Sequence, residues 1–248
     1  MAKKLYEESN IQAIADAIRA KTGSASTMKV SEFASEISSI SGGGGGGIDY
    51  TAHCDLINFT SLDFVGQPSV TFNLPKCTRL DKFWSTPNNE VPNTTIEHLT
   101  INGAKPTSMS SFISRDYNVR DTVLKRVTLN IDTSNVTNFA YAFTHLMALE
   151  TIDGNPLDLS KATVLSGMFS SINYEMVDVR FVANSIKVSL SLSACSKLSD
   201  ATIQSIVDGL ADLSGQTRQT ITFHKDLESR VTPNQKQAID AKNWTQVY

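Results

Sequence analysis

Short runs in which apolar and polar residues alternate recur through the middle of the chain. Four of these runs, "VTFNL", "HLTIN", "RVTLNI" and "PLDLS", have the period of two that is expected of β-strands. Each run is followed by a threonine, an apolar residue two positions later and a second apolar residue six positions later. We call this seven-residue pattern the kernel. The kernels begin at Thr78, Thr107, Thr137 and Thr163, so they recur at intervals of 29, 30 and 26 residues.

Recurrence at such a period is typical of solenoids, in which stacked neighbours share one continuous core. The pattern predicts an α/β fold in which each repeat consists of one strand, a turn and a short helical segment. The alternative is coincidence, because threonine and apolar residues are common. Two more alternating runs, "IKVSLSL" and "QTITF", predict strands toward the C-terminus. The apolar kernel positions predict the repeat core: Leu80, Trp84, Met109, Ile113, Phe139, Phe143, Leu165 and Phe169.

The N-terminal region has helical rather than strand periodicity. The stretch "NIQAIADAIRAKTG" forms one narrow apolar stripe and "VSEFASEISSI" forms a second. Two short helices with one stripe each build only a weak core, so we expect them to pack on each other or on partner chains. The residues predicted to mediate attachment and self-association are Ile11, Ile14, Ile18, Phe33, Ile37 and Ile40.

Six consecutive glycines, residues 42–47, mark the clearest boundary in the chain. Such a run behaves as flexible coil, although an engineered linker would look the same. The predicted organisation is a helical module at 1–41, a glycine linker at 42–47, a repeat domain at 48–198 and a capping segment at 199–248. In the last segment "LSDATIQSIVDGLADLSGQ" predicts a helix facing the core. Thr232, Pro233 and Gln235 predict a capping box at the start of a second helix.

Composition limits the classes of partner and compartment. The formal net charge is −3 and the chain has no dense block of lysine and arginine. Nucleic acid and anionic membranes are therefore not expected as main partners. The chain has no apolar run of 18 residues, and "MAKKLYEESN" lacks the hydrophobic core of a signal peptide, so we expect synthesis and retention in a cytoplasm. Cys54, Cys77 and Cys195 form no close pair, and reduced thiols are expected.

The sequence offers little catalytic or metal-binding chemistry. Its four histidines are scattered, without the spacing of metal ligands, and no phosphate-binding glycine motif or serine elbow occurs. The triplet "HCD" at 53–55 is an unpromising nucleophile, because adjacent residues of an extended segment point to opposite faces. We therefore expect no enzyme activity, no cofactor and no metal. Tyr117, Tyr141 and Tyr174 fall between core positions and are the candidates for ligand contact, or else exposed tyrosines without a role.

Two segments resemble known families. "DTSNVTNFAYAF" resembles the leucine-rich-repeat variant of BspA-like bacterial surface proteins, whose units carry Asp-Thr-Ser-x-Val-Thr-x-Met-x-x-Met-Phe. Phe139 and Ala142 depart from its methionines, and the resemblance covers roughly residues 70 to 190. The BspA-type signature is matched at Asp132, Thr133, Ser134, Val136, Thr137 and Phe143.

The second resemblance lies near the N-terminus. "IADAIRAKTG" followed by "VSEFASEI" resembles the start of tail and fibre proteins from phages and prophages of Gram-positive bacteria.

These resemblances imply a virion protein of the tail-fibre or baseplate type that displays a repeat domain for recognition of the host cell surface. The implied partners are other tail or baseplate proteins, a bacterial surface glycan or protein, and further copies of the chain, with a trimer favoured. The expected location is the virion, after assembly in the host cytoplasm. A purely structural decoration or head-fibre subunit is the first alternative and a bacterial surface adhesin the second. An enzyme that acts on a surface glycan comes last.

Overall fold

The computed structural model describes residues 48–49, 68–84, 95–114, 121–170 and 175–248. The predicted helices of residues 1–41, with their six attachment residues, and the glycine linker lie outside the described residues. So do two candidate contact residues, Tyr117 and Tyr174. The described part is a mixed α/β structure with parallel sheets.

Ten strands and two α-helices are described. The strands are β1 (Ile48–Asp49), β2 (Ser69–Asn73), β3 (His98–Asn102), β4 (Ile113–Ser114), β5 (Arg126–Asn130), β6 (Phe143–Thr144), β7 (Thr151–Gly154), β8 (Leu190–Leu192), β9 (Gln219–Phe223) and β10 (Trp244–Val247). The helices are α1 (Asp200–Gly209) and α2 (Pro233–Ala241), with a 3-10 helix at Lys225–Leu227. The strands form sheets in the orders β1-β2-β3-β5-β7, β10-β9-β8 and β4-β6.

The larger sheet confirms three of the four predicted strands, and in each of them the apolar positions are the buried ones. β2, β3, β5 and β7 pair in parallel, with Ser69 opposite His98, His98 opposite Arg126 and Arg126 opposite Thr151. The second and fourth residues of β2, β3 and β5 are buried, whereas their neighbours are at least partly exposed. One face of this sheet therefore packs on the core and the other faces solvent.

The fourth predicted strand, "PLDLS", is a wrong prediction. The strand that continues the sheet is β7, five residues earlier, and "PLDLS" contributes only an isolated bridge between Leu157 and Phe181. Two features explain the difference. Gly154 has a φ of +88°, which turns the chain out of the strand, and Pro156 has no N–H with which to continue a ladder.

The kernels form turns, not the predicted short helices. Their N–H groups bond sideways to the next kernel: Leu80 N to Ser108 O at 3.0 Å, for example, and Phe139 N to Val164 O at 2.9 Å. The fifth kernel residue is left-handed in every case, at Lys82, Ser111, Tyr141 and Gly167. An α-helix needs right-handed residues and N–H bonds within the segment, so this geometry excludes one.

Threonine side chains reinforce this second ladder. The Oγ1 of Thr107 donates to Thr78 O at 3.2 Å, that of Thr137 to Thr107 O at 3.3 Å and that of Thr163 to Thr137 O at 3.2 Å. The backbone N–H of each of these donors bonds to the same carbonyl. The first kernel residue thus joins neighbouring kernels by side chain and backbone together.

A row of phenylalanine rings lies between the two ladders. Phe83 and Phe112 have ring centroids 5.6 Å apart, and Phe112 and Phe143 are 5.9 Å apart. The row also includes Phe72, Phe169 and Phe181. All eight residues proposed from the kernel positions are buried, at 5% exposure or less. Sequence reasoning missed Phe83 and Phe112, because each stands one place before the expected kernel position.

The C-terminal segment contains both predicted helices, although α1 ends at Gly209, before the end at Gly215 that its stretch predicts. Ser199 caps α1, and the capping box of Thr232 and Gln235 opens α2 with Pro233 at its start. "QTITF" is β9 as predicted, whereas only the end of "IKVSLSL" is a strand, β8. The buried Trp244 donates its indole N–H to Ala211 O at 2.8 Å, which fixes β10 to the rest of the segment.

Candidate binding surface on the parallel sheet

The solvent side of the larger sheet carries polar side chains in rows that cross the strands. Since the strands are in parallel register, equivalent residues stand side by side, about 4.8 Å apart. We call this surface the sheet face. Its first row is Ser69, His98, Arg126 and Thr151, its second row is Thr71, Thr100, Thr128 and Asp153, and its third row is Asn73, Asn102 and Asn130.

The third row is held by hydrogen bonds between its own amides. Asn102 Nδ2 donates to Asn73 Oδ1 at 2.9 Å, and Asn130 Nδ2 donates to Asn102 Oδ1 at 2.9 Å. Such a ladder fixes the orientation of each amide and leaves further donors and acceptors directed to solvent. The sheet face is therefore a polar surface whose third row is preorganised.

A concavity of about 330 Å³ lies at the β7 end of the sheet face. Two isolated bridges join Thr151 to Asp178 and Leu157 to Phe181. Between the two bridges the chain advances six residues on the β7 side but only three residues on the partner side. The extra residues on the β7 side line a hollow beside β7. We call it the end pocket; its polar lining residues are Arg126, Thr151, Asp153, Asn155, Asp178 and Arg180.

The charged groups of the end pocket are fixed to different degrees. Asp153 Oδ1 accepts from Thr128 Oγ1 at 2.5 Å, and its other oxygen lies 3.5 Å from Arg126 Nη1. Asp178 Oδ1 accepts from Ser199 Oγ at 2.7 Å and from Thr202 Oγ1 at 3.2 Å. Both carboxylates are thus held by hydroxyl groups through a single oxygen.

A surface ion pair borders the first row of the sheet face. Lys125 Nζ lies 2.9 Å from Glu97 Oε2, next to His98 and Arg126 in sequence. The hydrogen bond and the charge of the partner lower the pKa of Glu97 and raise the pKa of Lys125. Both groups are well exposed, so the pair adds local charge rather than appreciable stability.

The candidate contact residue Tyr141 is not part of the sheet face. It lies on the kernel side, with 51% of the residue exposed and a φ of +55°. Its ring covers Gly167 of the next kernel. Sequence reasoning missed the sheet-face residues, although the polar positions of "HLTIN" and "RVTLNI" were a usable signal: in a half-buried strand they point to solvent.

A second concavity, of about 350 Å³, lies between α1 and α2. Its Lys242 is engaged with the C-terminal end of α1: Nζ donates to Val207 O at 2.9 Å and to Leu210 O at 2.7 Å. Burial lowers the pKa of Lys242. These bonds satisfy helix-end carbonyls, so this lysine stabilises the helix rather than offering a free cation.

Within the described ranges, no group of three or more histidine, cysteine, aspartate or glutamate residues is placed to hold a metal ion. No helix in the described part of the chain is long and apolar enough to cross a membrane. Cys77 and Cys195 are both buried, and Cys77 Sγ donates to Arg79 O at 2.9 Å. No protein-family model, curated protein or solved structure matches the chain.

Proposed function

We propose that the chain is a virion protein of a phage that infects Gram-positive bacteria, of the tail-fibre or baseplate type, and that its sheet face contacts the host cell surface. In this proposal residues 48–198 form a solenoid of the BspA-like leucine-rich-repeat type, which residues 199–248 cap. The parallel strands and the sideways ladder of the kernels support a layered architecture.

The observation that carries the recognition role is the repetition of polar residues on the sheet face. Threonine recurs at the same position of β2, β3 and β5, and asparagine recurs two residues later. Equivalent groups at a regular spacing offer many similar weak contacts to an extended or repetitive partner. A surface built for packing inside a rigid assembly would instead be expected to carry apolar residues at its centre.

Multiple copies would convert weak contacts into firm attachment. The sequence resemblance of residues 1–41 supports an attachment and oligomerisation module, with a trimer favoured, and residues 42–47 would act as a flexible tether. When several binding modules are linked, overall avidity exceeds single-site affinity by roughly 10² to 10⁴, provided that the tether lets them bind together.

Fab fragments raised against the purified chain test this role on intact particles. The particles are released by lysis from a Gram-positive strain that encodes the chain. The proposal expects the Fab to bind these particles and to lower their adsorption to fresh host cells, whereas a non-immune Fab does neither.

Each other outcome points to a different alternative. Fab binding that leaves adsorption unchanged would favour a structural decoration. Particles that lack the chain would contradict a virion role. Detection of the chain on unlysed, uninfected cells would favour a bacterial adhesin instead.

A further inference from the structure

The end pocket is a built feature of the fold, since its wall is fastened at several points. Asn155 N bonds to Leu129 O at 2.8 Å, and Asn155 Nδ2 bonds to Ile131 O at 2.9 Å. A Cβ added at Gly154 would lie 2.6 Å from Leu129 O, so only glycine lets the loop approach β5 this closely. The hollow is therefore held open by the same residues that break the ladder.

The pocket presents acceptors and donors that are available to a ligand. Within the described residues, Asp178 forms no ion pair, and the guanidinium of Arg180 has no hydrogen-bond or ion-pair partner. Arg180 is exposed, and Arg126 is 53% exposed at its side chain. A carboxylate oxygen and two guanidinium groups thus face a common space.

The composition of this lining restricts the ligand class. Two aspartates and two arginines give a formal charge of zero, which does not favour a polyanion such as nucleic acid. Ligand pockets are usually lined mainly by apolar side chains, whereas the lining here is polar apart from Ile152 and the glycine. The ligand that fits is small, uncharged and rich in hydroxyl groups, because a hydroxyl can both donate to carboxylate and accept from guanidinium.

The volume sets the size of that ligand. About 330 Å³ is at the lower end of ligand pockets, which span roughly 300 to 1,000 Å³. We infer that the end pocket is a subsite for one neutral saccharide unit of a bacterial surface glycan, with the rest of the glycan lying across the rows of the sheet face. This inference rests on the proposed function, of which it specifies the ligand.

Arg180→Ala is the informative variant, since it removes a guanidinium that forms no hydrogen bond or ion pair within the described residues. Arg230→Ala is the control: Arg230 is also exposed, pairs with Asp200 and does not line the end pocket. Thermal unfolding checks that both variants fold like the parent. A second pocket variant, Asp178→Asn, keeps the shape and removes the charge.

Binding is measured with the full chain on a glycan array of neutral, amino-substituted and anionic saccharides, and on purified wall polysaccharide from cells that the chain binds. We expect neutral saccharides to bind. We expect Arg180→Ala and Asp178→Asn to weaken binding about tenfold or more, since hydrogen bonds to charged groups are the stronger class. Arg230→Ala should stay within about twofold of the parent.

Three results would overturn the inference. These are no binding to any saccharide, binding that Arg180→Ala leaves unchanged, and binding restricted to anionic saccharides. If the chain binds cells but the pocket variants do so equally well, the pocket assignment is wrong and the proposed function stands. If the chain binds no cells, the proposed function fails, while loss of array binding in Arg180→Ala would still support the pocket.

Discussion

The ring of Tyr141 lies over Gly167, in the place that a side chain at residue 167 would need. A Cβ built at Gly167 would be 2.5 Å from two ring atoms of Tyr141, and its φ is +64°. Both residues hold the left-handed fifth position of their kernels. The tyrosine therefore covers the backbone of the next layer and depends on the absence of a side chain there.

Gly167→Ala should destabilise the protein by about 1 kcal/mol more than Gly215→Ala, because both variants share the left-handed strain and only the first adds contact with the ring. Gly215 is the control: its φ is +76°, and nothing lies within 4 Å of an added Cβ. Urea unfolding measures both losses. In a Tyr141→Ala background the difference should disappear, and equal losses in the parent background would contradict the described contact.

Loss of the hydroxyl should destabilise the protein more at the buried Thr133 than at the exposed Thr137 of the kernel ladder. Thr133 is 3% exposed, and its Oγ1 accepts from Asp158 N at 2.7 Å. Thr133→Val leaves that N–H unpaired, so we expect a loss of about 1 to 3 kcal/mol in the free energy of unfolding. Thr137→Val removes only an exposed bond and should cost within about 0.5 kcal/mol. Comparable losses in chemical denaturation would count against the described hydrogen bond.

The phenylalanine row predicts a graded response at Phe112, which is fully buried between Phe83 and Phe143. Phe112→Ala should cost about 3 to 5 kcal/mol, and Phe112→Leu less than about 1.5 kcal/mol if the row repacks. The neighbouring Ile113→Val is the control, at about 0.5 to 1.5 kcal/mol. Guanidinium unfolding ranks the three variants, and a small loss for Phe112→Ala would show that the row does not stabilise the layers.

Burial raises the pKa of the Cys195 thiol to about 12. The unfolded thiol ionises near pH 8.5, so above that pH unfolding releases a proton that the folded state keeps. The free energy of unfolding should therefore fall between about pH 8.5 and 12, by at most about 1.4 kcal/mol per pH unit from this group. Cys195→Ala should show a shallower decline over the same range.

Thiol labelling checks the same burial at constant pH. Cys77 and Cys195 are the cysteines of the described residues and are both buried, and Cys54 lies outside the described residues. In a Cys54→Ser variant at pH 8, a disulfide reagent should label no thiol until urea is added. Rapid labelling of the folded variant would show that the two sites are open.

Local patterns in the sequence predicted part of the fold. The strands β2, β3 and β5 could be predicted from the alternation of apolar and polar residues, because successive side chains of a half-buried strand point to opposite faces of the sheet. The capping box at Thr232 and Gln235 is likewise a local arrangement of four residues. These features could be predicted because each depends on residues close together in the chain.

The kernel conformation could not be predicted in the same way. Its left-handed residues include Lys82, Ser111 and Tyr141, which carry no signal for that conformation, and only Gly167 marks it. The buried phenylalanine also shifts by one place, from the sixth kernel residue at Phe112 to the seventh at Phe143. A fixed-period template therefore selects the buried Trp84 and Ile113 and misses Phe83 and Phe112 in two of the four kernels.

The sheet face and the end pocket depend on register between distant segments. Asp153 and Arg126 are 27 positions apart, and only the pairing of β5 with β7 places them together. The hollow itself arises from the surplus of residues between two bridges. Neither property belongs to a single stretch, so sequence reasoning selected Tyr117, Tyr141 and Tyr174 instead.

Cell binding by two arginine variants tests the central claim that the sheet face contacts the host. Thr100→Arg places a bulky charge in the middle row, between Thr71 and Thr128, whereas Ser166→Arg places the same side chain on the exposed kernel side. Labelled, artificially multimerised full chains are titrated onto a panel of Gram-positive cells. We expect the parent and Ser166→Arg to bind the same strains. We expect Thr100→Arg to bind those strains at least about tenfold more weakly. Equal binding by Thr100→Arg, or binding to no strain by the parent, would contradict it.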